Sequence, residues 1–378
     1  MGILDRFVAV RFLANFAFVF AVMFLFAVSI DTILELDEYT DAAQAAIDAG
    51  RFGSMWIALP AAIVDFHAPR VFQFYAYMVG LCSVASAGFT LTQMSRTREL
   101  VAMLAAGISL WRVALVIGAA AVGLNLLQLV SGEVVLPRLA PLLVREHSSI
   151  LRPTVESFSV KLVEDKSGRL VLAQRFDPAT ETISNLVVLE RDANGGAVRR
   201  IEAPKATWNA ERIGWDLENG VAAGRSAPGP GGAAAGSAAR IDEREPIDFV
   251  ATDISPRSIL ARRFRGFAQL LSAPQIAELA REGGIDDTGA ARLVGQRFAG
   301  ALVNLLMLAI CLPFFLVREP RKMLQPSVIC AATAVPGLLG SLFVMSVAIP
   351  GIPPMVGVFL PVALLLPIAA GRIGALKT

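Results

Sequence analysis

With 378 residues, 55% of them hydrophobic and only 17% charged, and a mean hydropathy of +0.60, the chain is too apolar for an ordinary soluble domain, in which about a quarter of residues are charged. A net charge of +2 excludes a nucleic-acid partner held by bulk electrostatics. Cys82, Cys311 and Cys330 sit inside apolar runs and read as small buried hydrophobes. His67 and His147 are the only histidines, too few for a histidine-based zinc site without several converging carboxylates, so neither metal nor cofactor is expected.

Crossing a hydrocarbon core of about 30 Å takes roughly 20 apolar residues. The first run that qualifies is Phe12–Ile30, and it exceeds the 7–15 apolar residues of a signal peptide, so it is expected to stay as a span. The loop after it is acidic, with Asp31, Glu35, Asp37, Glu38, Asp41 and Asp48 against Arg51. "DFHAPR" (65–70) reads as a polar step into the second span, with Pro69 as its breaker. Val71–Thr92 and Val113–Ser131 are the second and third spans. Phe298–Val317, Ser327–Ile349 and Gly351–Gly371 are the last three, and none of the six contains Asp, Glu, Lys or Arg.

Arg6, Arg11, Arg96, Arg98, Arg112, Arg318, Arg321, Lys322, Arg372 and Lys377 fall on one side of these spans and the acidic first loop on the other. The positive-inside rule therefore predicts that both termini are cytoplasmic. It also puts residues 132–297 outside. Their pattern changes to strands: "SFSVKLVE", a "DKSG" turn, "RLVLAQRF", "ISNLVVLE", a hairpin turn at Asn194-Gly195, and two more strands in 206–220. This predicts an all-β sandwich or roll, interrupted by a flexible Gly/Ala/Pro-rich stretch at 221–240. Helical character returns near Ser255, and a helix capped at Ser272 should end at Gly283-Gly284.

Between the second and third spans lies "SRTRELVAMLAAGISLWRV" (95–113). Placed on one helix over 97–112, Leu100, Met103, Leu104, Ile108 and Trp111 recur at three- and four-residue steps. Burying Arg96, Arg98 and Glu99 at mid-bilayer would cost about 2.5–3.5 kcal/mol per charge, so the segment belongs at the cytoplasmic surface. From the residues alone it is either an interfacial anchor or a docking element.

The segment "RTRELVAMLAAGIS" (96–109) resembles the cytoplasmic motif of the lipopolysaccharide export permeases LptF and LptG. "LDRF" (4–7), "GEVVLPRLAP" (132–141), "DISPRSIL" (253–260) and "QRFAGALVNLLMLAICLPFFL" (296–316) extend the likeness over nearly the whole chain. The resemblance implies an α-helical membrane protein with six transmembrane helices and an all-β, jellyroll-like periplasmic domain inserted between helices 3 and 4. Its domains would be 1–131, 132–297 and 298–378. It further implies a transport subunit of the bacterial inner membrane with no catalytic residues. The coupling helix at about 96–110 would meet an LptB-like ATPase dimer through Arg98, Glu99, Leu100, Met103, Ala106, Gly107 and Ile108. The other implied partners are a second LptF/LptG-type permease, periplasmic LptC/LptA-like bridge proteins and lipopolysaccharide. None of the five lysines follows a glycine, so the chain has no Walker A phosphate loop and ATP hydrolysis is expected on another polypeptide.

Phosphorylated glycolipid heads call for cations at the outer rim. Arg138 and Arg145, with Arg70, are the candidates for the head, and Phe26 and Phe343 for acyl chains. The G-type family member presents lysines near the end of span one, whereas 12–50 here contains no Lys or Arg, which leaves F-type and G-type both open. Two other classes compete: a membrane-anchored lipid-modifying enzyme, for which Asp65, His67 and Glu133 are the nearest candidates, and a four-span mechanotransmitting ABC protein.

Overall fold

The computed structural model describes residues 2–151, 157–191, 196–225, 241–264, 266–316 and 324–374. The hairpin turn at Asn194-Gly195, the stretch 226–240, and Arg318, Arg321, Lys322 and Lys377 lie outside the described residues. In chain order the first helices are α1 (Ile3–Leu34), α2 (Leu36–Asp48), α3 (Met55–His67), α4 (Arg70–Arg96), α5 (Glu99–Ala105) and α6 (Leu110–Val130). A π-helical turn, Ser131–Val135, carries α6 straight into α7 (Leu136–Leu143). Strands β1 (Phe158–Glu164), β2 (Leu170–Asp177), β3 (Thr182–Arg191), β4 (Ala197–Asn209), β5 (Gly214–Arg225) and β6 (Ile241–Ala251) follow. Helices α8 (Pro256–Arg263), α9 (Phe267–Leu270), α10 (Ala273–Arg281), α11 (Asp287–Cys311), α12 (Leu324–Ser346) and α13 (Pro354–Gly374) complete the chain.

Among the described residues six helical segments are long and apolar enough to cross a membrane: α1, α4, α6 with α7, α11, α12 and α13. The chain divides into a helical unit (Met1–Leu139, Leu270–Ala273, Asp287–Thr378) and a unit holding the sheet (Ala140–Gln269, Pro274–Asp286). The helical unit thus runs past the expected boundaries at 131 and 298. An apolar run marks only the part of a helix that meets lipid, and α7 and the first turns of α11 continue the same helices beyond it.

All six crossings contribute to one large buried cluster: Val8 and Phe12 from α1, Leu91 and Met94 from α4, Val113 and Ile117 from α6, Val303 and Met307 from α11, with Ala334 from α12 and Ala369 from α13. Lipid tails are as apolar as these side chains, so close packing and interhelical hydrogen bonds must hold the helices together. Asn304 Nδ2 donates to Asn125 Oδ1 (3.1 Å), Gln128 Nε2 to the Ala76 carbonyl (2.6 Å) and Tyr75 Oη to the Leu124 carbonyl (2.7 Å). Asn15 Nδ2 donates to Thr90 Oγ1 (2.7 Å). Gly80 lets α4 approach this network, because a Cβ there would lie 2.0 Å from Asn304 Oδ1 and 3.2 Å from Asn304 Cβ.

The expected β domain is present between the third and fourth crossings, followed by the short helices α8 to α10. Its six strands form one antiparallel sheet in the order β1-β2-β3-β4-β5-β6, so among the described strands each neighbour is the next in sequence and no Greek-key crossing occurs. The expected "DKSG" turn closes β1 and β2. The buried Asp165 carboxylate accepts from the backbone N–H groups of Ser167 (3.0 Å) and Arg169 (2.9 Å) and from Arg169 Nε (2.8 Å). Trp215 is fully buried, and its Nε1 donates to the Ile254 carbonyl (3.0 Å). Sequence reading missed β6, "IDEREPIDFVA", because it is charged and contains Pro246. It is an edge strand, where charge and proline are tolerated and guard against pairing with other chains. The expected helices past Ser255 are present, with Ser255 Oγ accepting from the Ser258 N–H (3.2 Å) at the start of α8.

Gly80→Ala should lower the chain's stability in detergent by about 1–3 kcal/mol, the usual cost of overpacking. Asn304→Ala should cost less in the Gly80→Ala background than in the native chain, because the clash is then already removed; additive thermal shifts would show that the two residues do not meet.

Candidate functional site

The segment between α4 and α6 is a tight, capped excursion rather than the single helix expected over 97–112. Arg98 adopts a left-handed conformation (φ 60°) and turns the chain into α5, which has only seven residues. Gly107 (φ 77°) ends it: the Gly107 N–H donates to the Leu104 carbonyl (3.0 Å) and the Ile108 N–H to the Met103 carbonyl (2.9 Å), a Schellman cap. Ser109 Oγ then accepts from the Trp111 N–H (3.2 Å) and starts α6. The helical periodicity of 97–112 was read through Gly107, but a glycine in the left-handed region satisfies the last carbonyls and stops the helix.

This geometry sorts the predicted residues into two sets. Leu100 and Met103 are buried in the helical core, with Leu104 and Ile108 packed against it. Arg98, Ala106 and Gly107 are exposed, and so are Val101, Ala102 and Ala105, which sequence reading did not single out. Glu99 stands at the edge. Its Oε2 accepts from Arg11 Nη1 at 2.5 Å and its Oε1 from Thr97 Oγ1 at 2.8 Å. Partial burial would raise the Glu99 pKa, but the hydrogen bonds from Arg11 and Thr97 outweigh it and hold the carboxyl below the usual glutamate range. At the other end of the segment Arg112 makes a two-pronged pair with Asp5, Nε–Oδ1 2.8 Å and Nη2–Oδ2 3.1 Å. Both ends of the excursion are therefore ion-paired to the first turns of α1. In the sequence Arg6 and Arg11 mark only the orientation of the first span. The partnership of Arg11 with Glu99 spans 88 residues and leaves no trace in local sequence.

The rim candidates are placed as follows. Phe26 on α1 is 62% exposed and Phe343 on α12 is 70% exposed. Arg138 on α7 is exposed. Arg145 is buried, with Nε donating to the Leu142 carbonyl (3.3 Å). Arg70 lies over the Phe66 ring, 3.4 Å from its centroid, and Nη1 donates to the Phe66 carbonyl (2.8 Å). The candidates for enzymatic chemistry separate into unrelated clusters. Tyr39 Oη donates to Asp31 Oδ2 (2.8 Å) and lies 3.0 Å from His67 Nε2; burial, then Asp31, raise the Tyr39 pKa. Glu133 pairs instead with Arg297 and accepts from the Ala273 N–H (2.8 Å), while Arg297 also donates to the Leu271 carbonyl. Among the described residues no three His, Cys, Asp or Glu side chains come together as a metal site requires.

The family described as lipopolysaccharide export system permease LptF/LptG matches residues 6–374, nearly the whole chain. The chain belongs to this family. No curated protein matches the chain. As an LptF/LptG permease it is a multi-pass inner-membrane transport subunit and not an enzyme.

The Arg11–Glu99 pair has a measurable signature. Arg11→Ala and Glu99→Ala should each destabilise this permease, and the double variant should cost less than their sum by about 0.5–3 kcal/mol. Because the folded pKa of Glu99 is depressed, its contribution is complete above the unfolded value of about 4.3 and is lost as pH falls through the lower folded value. Thermal melts of the four chains at neutral pH and at pH 3 should therefore differ in coupling; a coupling of zero at neutral pH would remove the pair.

Proposed function

We propose that this LptF/LptG permease extracts lipopolysaccharide or a related envelope glycolipid from the inner membrane and passes it to a periplasmic LptC/LptA-like bridge. A separate, LptB-like ATPase dimer drives it by docking on the excursion between α4 and α6. A second permease of the same family completes the cavity. In this reading both termini and the excursion are cytoplasmic and the β unit is periplasmic, in line with the arginine-rich side of the spans. The observation that carries the reading is the double tie of this excursion to α1, Glu99 to Arg11 and Arg112 to Asp5.

The division between buried and exposed residues supports a mechanical role. Leu100 and Met103 fix α5 to the helix core, while Arg98, Val101, Ala102, Ala105, Ala106 and Gly107 present a small, weakly charged face to a partner. A displacement imposed there reaches α1 through its two ion pairs. Val8, Phe12 and Phe16 are the buried residues of α1, whereas Phe18, Val22, Leu25, Phe26, Ile30, Ile33 and Leu34 are exposed along its remaining length. The outer half of α1 packs one face on α4 through Phe20 and Phe24 and leaves the other face exposed, which is where an acyl chain would enter beside Phe26, with Phe343 of α12 as a second contact. For the phosphorylated head, exposed Arg138 is the first candidate. Arg70 and Arg145 already donate to backbone carbonyls and would have to exchange those bonds.

Glu99→Ala and Glu99→Arg should reduce recovery of the ATPase with the affinity-purified permease, or leave ATP hydrolysis running without glycolipid release. Arg11→Ala should retain the ATPase yet lose most of the coupled release, since it cuts the tie and leaves the exposed docking face. Wild-type release in all three variants would overturn the mechanism.

A further inference from the structure

The chain between α1 and α4 is not a simple loop but two helices packed on each other with opposite outer faces. On α2 the buried positions are Tyr39, Ala43 and Ala46; on α3 they are Ala58, Ala62, Phe66 and His67. Tyr39 and Phe66 meet edge to face at 5.8 Å. The small alanines at four-residue spacing let the helices lie close, and the Tyr39–His67–Asp31 hydrogen bonds tie the pair to the end of α1. The outer face of α2 carries Asp37, Glu38, Asp41, Gln44 and Asp48, all exposed. The outer face of α3 carries Trp56, Pro60 and Val64 at four-residue steps, with Ile57 beside them, and all four are also exposed, Trp56 by 91%.

We propose that α3 lies in the membrane interface and seats this stripe among the lipids of the leaflet at the C-terminal end of α1, with α2 covering it on the aqueous side. Three observations support this occupant. Only Ala68 and Pro69 separate the end of α3 from the start of α4, so α3 finishes at the level where the chain re-enters the membrane. Thirteen residues span about 20 Å as a helix, too short for a hydrocarbon core of about 30 Å, so this apolar helix cannot cross. An apolar stripe with tryptophan at its head, backed by an acidic helix, has the polarity of an interfacial element. The lipid seat is independent of the proposed ATPase coupling, since it involves neither α5 nor Glu99.

The test is site-directed spin labelling of the full chain in nanodiscs of phosphatidylethanolamine and phosphatidylglycerol. Labels go at Trp56→Cys, Ile57→Cys and Val64→Cys, with Asp41→Cys on α2 as the aqueous comparison and the unsubstituted chain as background for its three buried cysteines. Relaxation enhancement by oxygen should exceed that by the water-soluble nickel chelate several-fold at the α3 positions and reverse at Asp41→Cys. Nickel-dominated relaxation at the α3 positions would mean that the stripe faces water. Low accessibility to both reagents would mean that protein covers it. Either result overturns the proposal, and three positions on one face guard against a single substitution that fails to fold.

Discussion

Hydrocarbon excludes charge, and this one constraint orders the whole helical unit. Each apolar run leaves Asp, Glu, Lys and Arg to its ends. A signal from outside the bilayer can then grip the helices only at those ends, and Arg11–Glu99 with Asp5–Arg112 are two such grips on the same helix, α1. Neither pair is deeply buried, so neither contributes to stability as a core residue does. Their value is positional: they fix which helix the excursion is joined to. An apolar contact alone would let α5 slide, since dispersion forces have little direction, whereas a carboxylate clamped between a guanidinium and a threonine hydroxyl has one geometry.

The same exclusion explains why the interior is sewn with amides. Asn304, Asn125 and Gln128 bridge α6 and α11, and Gln128 reaches the backbone of α4, where no burial of apolar surface from water can bring helices together. Gly80 permits the approach. Toward the other end of α1 the packing thins, its phenylalanines stack along α4 through Phe20, Phe24, Phe74 and Tyr75, and the rest of its surface is left to lipid. The helix is thus ion-paired at its base and packed on one face only along its outer half.

The β unit obeys a different solvent. Its strands alternate buried and exposed positions around Trp215, Phe176 and Ile183, and its turn at Asp165 is held by backbone N–H groups. Within the helical unit, the π-helical turn at Ser131–Val135 carries Glu133, which pairs with Arg297 and accepts from the Ala273 N–H. The clustering of Glu133 with Arg297 joins residues 164 apart in the chain.

The amino-acid sequence by itself determined the six crossings, the all-β insertion, the "DKSG" turn and the family, because hydropathy, alternation and turn chemistry act over a few neighbouring residues. It could not determine where α5 stops, since a glycine within a helical period is neutral until its φ is known. Nor could it reveal strand β6, whose charge and proline suit only an edge position. The pairing of Arg11 with Glu99, the burial of Leu100, Met103 and Arg145, and the opposed faces of α2 and α3 were decided by tertiary structure alone. Each depends on which distant helix arrives beside a residue, and local sequence carries no record of that arrival.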